Sequence, residues 1–469
     1  MSDYKLLIGG KLVDGDQRLD VINPATEEVF ATVARASERQ ADEAIEAAAT
    51  AFPGWAETPI AERQAKVAAL ADAIAANADR LARTLTQEQG KPLAEAMGEV
   101  AWTEGYLRHY ATLTIEERTI QDDANGLVQI RRKPLGVVAG IVAWNFPLLV
   151  ACWKIGQATI AGNTIVLKPA PTTPVTTLIL GELCQAIFPA GVVNIIVDAN
   201  DLGGYLTADP RIAKVGFTGS TATGKKIMAS AADSLKRLTL ELGGNDPGIV
   251  LDDVDVRATA QSIFNAAFLN CGQVCLAIKR AYVHDSIYDA MCDELARLAE
   301  AAVVDDGLAQ GAQIGPIQNK AQYEKVKGFL DRARADGNVI AGGEVMDRSG
   351  YFLRPTIVRD VTDGDQIVDE EQFGPILPVI RFSDVDDVVQ RANASPYGLG
   401  ASVWSSDVDR ALQVAGRIES GSVWVNQHIA IGPHIPMAGV KASGLGVEQS
   451  LEGLAEYTQL SVINVARGG

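Results

Sequence analysis

Gly136-Val-Val-Ala-Gly-Ile-Val142 and Thr164-Ile-Val-Leu167 are two short apolar runs rich in β-branched residues, and a helix-like segment at residues 148–161 separates them. The same rhythm continues through the runs Val192–Val197 and Ala213–Phe217. Buried strands that alternate with helices are typical of a parallel sheet covered on both faces. This part of the chain therefore predicts an α/β fold.

The flanking sequence extends this architecture in both directions. A second alternation of strands and helices runs from residue 248 to about 440. Upstream, residues 38–52 and 60–89 are rich in alanine, with apolar positions at helical spacing, which predicts helices. Residues 114–134 alternate around a central turn and predict a projecting hairpin, an arrangement suited to contacts between subunits. The tail from Tyr457 to Val465 predicts one last strand.

Size and charge narrow the functional class. A chain of 469 residues exceeds one hydrophobic core, so two or three domains are expected. The formal net charge of −18 argues against nucleic acid or an anionic membrane as the main partner. The N-terminus lacks the pattern of a signal peptide, which makes the cytoplasm the expected location. The uncharged stretch Pro134–Trp153 has the length of a membrane span, but Asn145-Phe-Pro147 interrupts it and favours two shorter elements.

The five cysteines and four histidines suggest free thiols rather than disulfides or a metal site. Few cysteines in an odd number are typical of a reducing compartment. Neither Cys271 nor Cys275 has a second cysteine or histidine pair at metal-ligand spacing, so no metal site is predicted.

Phe268-Leu-Asn-Cys-Gly-Gln-Val-Cys275 contains the candidate nucleophile, Cys275. A thiol reacts as its thiolate, and its ordinary pKa of about 8.5 falls near helix N-termini and backbone donors. Gly272 permits the tight backbone that such a site needs. The alternative is that both thiols of this stretch are small core hydrophobes.

Phe217-Thr-Gly-Ser-Thr-Ala-Thr-Gly-Lys225 follows a strand and opens a helix. Amides at a helix N-terminus bind phosphate, and glycines allow close approach, so Gly219 and Gly224 become candidates for a phosphate site. A simple capped helix start is the alternative. A nucleoside-triphosphatase loop is disfavoured because Lys226 stands where the magnesium ligand Ser or Thr is required.

Three further stretches carry polar groups in apolar or rigid surroundings. In Leu240-Glu-Leu-Gly-Gly244, Glu241 lies between leucines, and desolvation there would raise its pKa toward that of a general base. In Trp144-Asn-Phe-Pro147, the Asn145 amide can donate to a developing oxyanion. Glu370–Pro375 offers a carboxylate for ribose hydroxyls and an aromatic ring. Each of these signals is weak alone, since surface glutamates and turn asparagines are common.

Taken together, these stretches resemble the aldehyde dehydrogenase superfamily, because separate motifs stand in the family's order along nearly the whole chain. The matching motifs are Asn23-Pro-Ala-Thr26, Trp144-Asn-Phe-Pro147, Lys168-Pro-Ala170, Phe217-Thr-Gly-Ser-Thr221, Leu240-Glu-Leu-Gly-Gly244, Gly272-Gln-Val-Cys275, Glu371-Gln-Phe-Gly-Pro375 and Lys441-Ala-Ser-Gly444. The resemblance implies an aldehyde dehydrogenase fold with three parts and a homodimer or homotetramer. These parts are a Rossmann-like NAD(P)-binding domain at 1–113 and 135–242, an α/β catalytic domain at 243–445, and a small β oligomerisation element at 114–134 and 457–467.

The resemblance also implies the chemistry, an oxidation of a small aldehyde to a carboxylic acid with NAD or NADP. Cys275 attacks the aldehyde to form a thiohemiacetal, whose oxyanion is held by the Asn145 amide and the Cys275 N–H. Hydride transfer leaves a thioester, and Glu241 activates the water that hydrolyses it. Lys154 and Glu448 stand where the family can place a proton path. The matching cofactor contacts are Trp144, Lys168, Gly219, Ser220, Gly224, Glu371 and Phe373.

Two departures from the family pattern suggest specific hypotheses. NAD-preferring members often carry Glu three residues after the strand-end lysine, and here Pro171 follows Lys168 at that position. No carboxylate there repels a 2′-phosphate, so NADP is expected to be tolerated with NAD slightly favoured. Cys271 is also unusual, and an inactivating Cys271–Cys275 disulfide is a hypothesis.

Two rival functions and the substrate class remain open from the sequence. A CoA-acylating relative is disfavoured because such members usually lack the base at Glu241. A non-enzymatic lens or scaffold role is disfavoured because the cysteine and the base are both kept. The family sets substrate specificity with loop side chains that line a tunnel, and the resemblance implies such side chains near Trp153, Phe264 and Phe268 and in the stretch Ile429–Met437. Apolar residues dominate that last stretch, which favours an apolar or aromatic aldehyde over a semialdehyde.

Overall fold

The structure, a computed structural model, describes residues 4–467. In chain order the strands are β1 (Leu6–Ile8), β2 (Lys11–Val13), β3 (Gln17–Ile22), β4 (Val29–Arg35), β5 (Arg118–Asp122), β6 (Gly126–Pro134), β7 (Val137–Ile141), β8 (Thr164–Lys168), β9 (Val193–Ile195), β10 (Ile212–Thr218), β11 (Arg237–Glu241), β12 (Asp246–Val250), β13 (Ile278–His284), β14 (Asn338–Ala341), β15 (Thr356–Val361), β16 (Ile376–Phe382), β17 (Tyr397–Gly398), β18 (Gly400–Trp404), β19 (Ser422–Val425), β20 (Val440–Lys441), β21 (Gly444–Leu445) and β22 (Thr458–Ala466).

The helices alternate with these strands. They are α1 (Glu38–Glu57), α2 (Ile60–Ala76), α3 (Ala78–Gln89), α4 (Leu93–Tyr110), α5 (Pro147–Ile160), α6 (Val175–Ile187), α7 (Gly203–Ala208), α8 (Thr221–Ala231), α9 (Val256–Phe268), α10 (Tyr288–Ala301), α11 (Lys320–Asp336), α12 (Gln366–Asp369), α13 (Val385–Asn393), α14 (Val408–Ala415) and α15 (Ser450–Ala455).

Two large sheets carry the fold, each with its own hydrophobic core. The first has eight strands in the order β2-β1-β9-β8-β7-β10-β11-β21, and its strands from β9 to β11 run parallel. The second has seven strands in the order β14-β15-β16-β13-β12-β18-β19 and is parallel except at β14. The predicted α/β class is therefore confirmed.

The predicted hairpin is β5 and β6, and the final strand β22 pairs antiparallel with β6 along its whole length to form a three-stranded sheet. Several large apolar side chains of this small sheet are exposed, namely Ile120, Leu460, Val462 and Val465. Such a surface is typical of a contact with another chain.

The stretch 60–89, expected to be helical, is two helices rather than one. Asn77 lies between α2 and α3 with non-helical backbone angles, and its side chain donates back to the Ala73 carbonyl at 2.8 Å. Asparagine competes with the helix for backbone hydrogen bonds in this way, which explains the break.

The uncharged stretch Pro134–Trp153 divides as expected between β7 and the start of α5. Pro147 occupies the first turn of that helix, where its missing N–H costs nothing. Within residues 4–467, no helix combines the length and apolar character needed to cross a bilayer.

The candidate site lies where the first sheet faces the second. Strands β7, β10 and β11 end at Ile141, Thr218 and Glu241, so their carboxyl ends share one edge of the sheet. Cys275 lies three residues before β13 of the second sheet. Carboxyl edges of parallel strands are where α/β folds bind ligands.

Candidate active site

A strained loop presents the candidate nucleophile. The 3-10 helix Leu269–Gly272 precedes Cys275, and its residues Asn270 and Cys271 adopt positive φ angles of 51° and 59°. Gly272 has φ 71°, and a Cβ there would lie 2.3 Å from the Gly374 carbonyl oxygen. Only glycine fits this position, so the loop geometry is fixed by sequence.

Cys271 and Cys275 are both free thiols, and they face different surroundings. Cys271 is buried in the core of the second sheet, whereas Cys275 is partly exposed and packs against the core of the first. Burial raises the pKa of the Cys271 thiol above its usual range. This environment is that of a small core hydrophobe, and the disulfide between the two residues stays a prediction.

Asn145 is held firmly beside this loop. Its Nδ2 donates to the Gln273 carbonyl oxygen at 3.0 Å, which uses one of the two N–H groups of the amide. The main-chain carbonyl oxygen of Asn145 accepts from Asn270 Nδ2 at 2.9 Å and from Lys91 Nζ at 3.0 Å. The second amide N–H of Asn145 is thus the group that can serve a ligand in the cavity.

A buried ion pair between Lys91 and Glu99 fixes the main chain of Asn145, because Lys91 also donates to the Asn145 carbonyl oxygen. Both side chains are fully buried, and the Glu99 carboxylate also accepts from the N–H groups of Leu148 and Leu149 in the first turn of α5. A carboxylate at a helix N-terminus satisfies amides that have no partner within the helix. This pair was not predicted, because Lys91, in the linker before α4, and Glu99, within α4, carry no sign of burial in the sequence.

Glu241 ends β11 with its side chain almost completely buried. Burial raises the pKa of its carboxyl group to about 8, and the negative charge of Glu448 acts in the same direction. Its Oε1 is buried and has no hydrogen-bond partner among the described residues. A carboxyl group tuned close to neutral pH can take a proton from water.

The Cys275 thiol lies in an environment that holds its proton. Burial raises the pKa of this thiol well above its usual range, Glu241 adds to that effect, and Lys279 opposes it. Among these influences, the lysine is the one that favours the reactive thiolate.

Lys154 and Glu448, which the resemblance assigns to a proton path, form a buried ion pair. Lys154 Nζ donates to Glu448 Oε1 at 2.9 Å, and Gln157 Nε2 donates to Glu448 Oε2 at 3.0 Å. Their charges act in opposite directions on the pKa of Glu241, which links the pair electrostatically to that carboxyl group.

Two cavities meet at three of the predicted catalytic side chains. The central cavity is bordered by Trp144, Ser220, Gly243 and Glu371, and the apolar cavity by Trp153, Leu149, Ile431 and Met437. Asn145, Glu241 and Cys275 line both cavities. The structure therefore brings these three side chains to one point. Phe264 and Phe268, considered for substrate contacts, line a separate surface cavity instead.

A groove continues from the central cavity along the first sheet. Trp144, Gly219 and Ser220 line both spaces, and Lys168 lines the groove. Ser220 is the N-cap of α8 and accepts from the Thr223 N–H at 3.3 Å, so the helix N-terminus faces this groove. Such an end favours an anionic group.

Lys168 has an ion-pair partner, Asp198, that no sequence motif predicts. Its Nζ donates to Asp198 Oδ1 at 2.7 Å, and both side chains are buried. Asp198 lies thirty positions further along the chain, so no local motif joins the two residues. This carboxylate offsets the positive charge that Lys168 would otherwise offer to a phosphate.

Gly224, unlike the other predicted cofactor contacts, lines neither the groove nor the central cavity. A Cβ at this position would lie 2.5 Å from the Leu242 side chain. The glycine therefore allows α8 to pack closely on the neighbouring strand end, which is a packing role rather than direct contact with a ligand.

Glu371 and Phe373 complete the central cavity. Glu371 Oε1 accepts from the Gly244 N–H at 3.1 Å. The Phe373 ring meets Trp144 edge to face, with ring centroids 5.3 Å apart. A carboxylate and two aromatic rings thus border the space in front of Cys275.

Within residues 4–467, no group of three or more His, Cys, Asp or Glu side chains is arranged to hold a metal ion.

Comparison with known proteins gives one consistent result. The sequence model of the aldehyde dehydrogenase family matches residues 12–463. Phenylacetaldehyde dehydrogenase of Pseudomonas fluorescens is 39% identical, with 99% of this chain and 96% of that protein aligned. The mitochondrial succinate-semialdehyde dehydrogenase of Arabidopsis thaliana is 37% identical, with 97% and 88% aligned. The NAD+ complex of an aldehyde dehydrogenase from Bacillus cereus superimposes with a TM-score of 0.97 at 37% identity, covering 99% of this chain and 96% of that one.

Proposed function

Since the chain belongs to the aldehyde dehydrogenase family and is an aldehyde-oxidising oxidoreductase, we propose that it converts apolar or aromatic aldehydes to carboxylic acids through a thioester on Cys275. The observation that carries this proposal is the shared position of Asn145, Glu241 and Cys275 at the junction of the two cavities. One reacting carbon placed there is within reach of all three side chains.

The roles of these residues follow from their surroundings. The Cys275 thiolate adds to the aldehyde carbon, and the second N–H of the Asn145 amide stabilises the resulting oxyanion. As this adduct collapses, its C–H bond would break with hydride passing to the nicotinamide acceptor that the central cavity would hold, and a thioester would remain on Cys275. Glu241 then takes a proton from water, the water oxygen bonds to the acyl carbon, and the carbon–sulfur bond breaks. Covalent catalysis of this kind divides one difficult step into two easier ones.

The groove and the central cavity fit a nicotinamide dinucleotide, which supplies the hydride acceptor when bound. The N-terminus of α8 at Ser220 suits a phosphate, and Gly219 lets the backbone approach it. The Glu371 carboxylate suits ribose hydroxyls, and the aromatic rings of Trp144 and Phe373 border a flat ring. Thr218 Oγ1 also lies buried beside all three spaces without a hydrogen-bond partner among the described residues, which leaves a polar group for a ligand.

We propose that the buried pair Lys154 and Glu448 carries protons away from the general base, Glu241. Each full cycle leaves Glu241 with a proton to release, and Glu241 is almost completely buried. The pair influences the pKa of that carboxyl group through its charges. A buried carboxylate and ammonium within electrostatic reach of a general base can accept and release its proton.

The apolar cavity supports the choice of substrate class. Apart from Asn145, Thr218 and Glu241, its lining is hydrophobic, and within the described chain no lysine or arginine contributes to it. A second carboxylate on the substrate would be buried there without a partner, which is costly. We therefore favour the substrate type of the phenylacetaldehyde relative over that of the succinate-semialdehyde relative.

A substrate panel tests this assignment. We expect kcat/KM for phenylacetaldehyde and medium-chain aliphatic aldehydes to exceed that for succinate semialdehyde by about 100-fold or more, the equivalent of about 2.7 kcal/mol. Steady-state kinetics at saturating cofactor measure it. Ile431→Arg should narrow this gap by pairing the carboxylate, whereas Ile431→Met should not. A semialdehyde as the best substrate would overturn the assignment.

Cofactor preference is a second expectation. Asp198 offsets the charge of Lys168, so a 2′-phosphate gains little there, while no glutamate at Pro171 repels it. We expect kcat/KM to favour NAD over NADP by about tenfold, or about 1.4 kcal/mol. Asp198→Asn should reduce that preference, and Asp201→Asn, which removes an exposed carboxylate, should not. A preference for NAD above a thousandfold, or any preference for NADP, contradicts this.

The division into domains and the assembly are part of the same proposal. Residues 1–113 and 135–242 would form the NAD(P)-binding domain, and 243–445 the catalytic domain. The exposed apolar residues of β5, β6 and β22 support a homodimer or homotetramer built through 114–134 and 457–467.

A further inference from the structure

Lys279, in β13, lies four residues after the candidate nucleophile and is 3% exposed. Its Nζ donates to the carbonyl oxygen of Cys275 at 2.6 Å and to that of Val274 at 2.8 Å. A buried ammonium is stable only when it has such acceptors. The positive charge is therefore held against the main chain of Cys275 itself.

The same ammonium reaches the part of the site proposed for the cofactor. Glu371 Oε1 lies 3.4 Å from Lys279 Nζ, and the Phe373 ring centroid lies 5.8 Å from it. Glu371 is itself fixed by the N–H of Gly244. One side chain thus joins the nucleophile loop to a carboxylate that lines the central cavity.

Two other buried titratable groups near the loop do not compete with this charge. Burial raises the pKa of the Asp246 carboxyl group to about 8, so it is mostly protonated at neutral pH. Burial lowers the pKa of His428 to about 3, so its ring is neutral, and its Nε2 lies 2.7 Å from the Leu276 carbonyl oxygen. Both groups contribute little net charge at pH 7.

The remaining groups that face the Cys275 thiol are Glu241, from β11, and Glu371, from the segment before β16. The pKa of Glu241 is raised to about 8, and this group is also mostly neutral at pH 7. The negative charge of Glu371 raises the pKa of the thiol, whereas Lys279, its ion-pair partner and the cation among these groups, lowers that pKa.

We propose that Lys279 is a positioning residue that favours the thiolate of Cys275 from behind the loop, an inference that rests on the proposed function of Cys275 as the nucleophile. Two contacts make this role specific. The carbonyl bonds fix where the ammonium lies relative to the nucleophile, and the Glu371 contact keeps it from turning away. The ammonium group of Lys279 and the loop that carries Cys275 therefore hold each other in a fixed relative position.

Alkylation by iodoacetamide, without cofactor or aldehyde, tests the proposal. The rate of modification of Cys275 is followed between pH 6 and 9.5 by peptide mass spectrometry, which separates it from the buried cysteines. Lys279→Met should displace the profile upward by about one pH unit, so that the rate at a fixed pH below the midpoint falls about tenfold. Lys279→Arg, which keeps the charge, should restore most of the rate. Lys327→Met removes an exposed lysine and should leave the profile unchanged.

Lys279→Gln serves as a second neutral variant, with thermal unfolding measured for each protein, because a buried methionine can disturb the fold. If the pH profile of Cys275 alkylation were unchanged in a neutral variant that remains folded, the role of Lys279 would be purely structural and the proposal would be overturned. Equal loss of rate in Lys279→Arg would overturn it as well. These outcomes are independent of whether Cys275 is the nucleophile, which the activity of Cys275→Ala decides.

Discussion

Replacing Cys275 by alanine is expected to lower kcat/KM for aldehyde oxidation by at least about ten-thousand-fold. Loss of a covalent nucleophile has an effect of this size, because the remaining groups bind and polarise the substrate but form no acyl intermediate. The change removes one small, partly exposed side chain, so the fold should be retained. Production of NADH from a saturating aldehyde measures the effect, with the unfolding temperature as a check on the fold.

Cys271→Ala is the matched control for this variant. Cys271 lies four residues earlier in the same loop, but its thiol is buried in the core of the second sheet. Its replacement should therefore lower stability modestly, with activity within about threefold of the unmodified protein. Substantial turnover by Cys275→Ala would show that the thioester mechanism is wrong. If Cys271→Ala lost as much activity as Cys275→Ala, the loss would not be specific to Cys275, and the assignment of Cys275 as the nucleophile would be wrong.

The fold was predictable where hydrophobic pattern and local chemistry agree. The β-branched runs around residues 137 and 164 became β7 and β8, and the interruption at Asn145-Phe-Pro147 became the turn before α5. Parallel strands buried on both faces leave this signature in any sequence. The break at Asn77 was not predicted, because alanine-rich sequence on both sides has helical spacing and a single asparagine is a weak signal.

The site was predictable only as far as its motifs reach. Asn145, Glu241 and Cys275 each stand in a local sequence pattern, and the structure brings them to one cavity junction. The residues that fix these side chains in place, or that offset a charge at the site, stand in no such local pattern. Asp198 and Glu99 act through contacts with residues thirty or more positions away along the chain. Such partners are defined by the tertiary packing of helices and strands, and a buried charged residue looks like a surface one in sequence.

Glu241→Gln is expected to separate the two halves of the reaction. Acylation needs no base at this position once the thiolate forms, so the variant should release about one equivalent of NADH per site in a rapid burst. Hydrolysis of the thioester needs a proton acceptor for water, and its rate should fall by a factor of about 10² to 10⁴. Rapid-mixing measurements of NADH, with mass spectrometry of the acylated Cys275 peptide, would detect both effects.

The pH dependence makes this prediction sharper. Burial raises the pKa of Glu241 to about 8, and a general base acts only after it has lost its proton. The fraction of active base therefore falls as pH drops below about 8, and hydrolysis by the unmodified protein should decline by nearly tenfold for each pH unit below that point. In Glu241→Gln this dependence should disappear. Glu370→Gln, at an exposed carboxylate outside the central cavity, should keep both the rate and the profile.

Coenzyme A distinguishes the hydrolytic reaction from transfer to a thiol. With water as the acceptor, the carboxylic acid should form at the same rate with and without coenzyme A, and acyl-coenzyme A should not accumulate. The buried carboxyl group of Glu241 favours this result, because water needs a base in order to attack a thioester, whereas a thiol that is already partly ionised needs less help from one. Formation of acyl-coenzyme A by the unmodified protein would contradict hydrolysis as the second step. Full steady-state turnover by Glu241→Gln with no burst would show that Glu241 is not the general base.

A Glu241→Gln variant that has lost both the burst and steady-state turnover would instead place Glu241 in the acylation step, as the group that takes the proton from the Cys275 thiol.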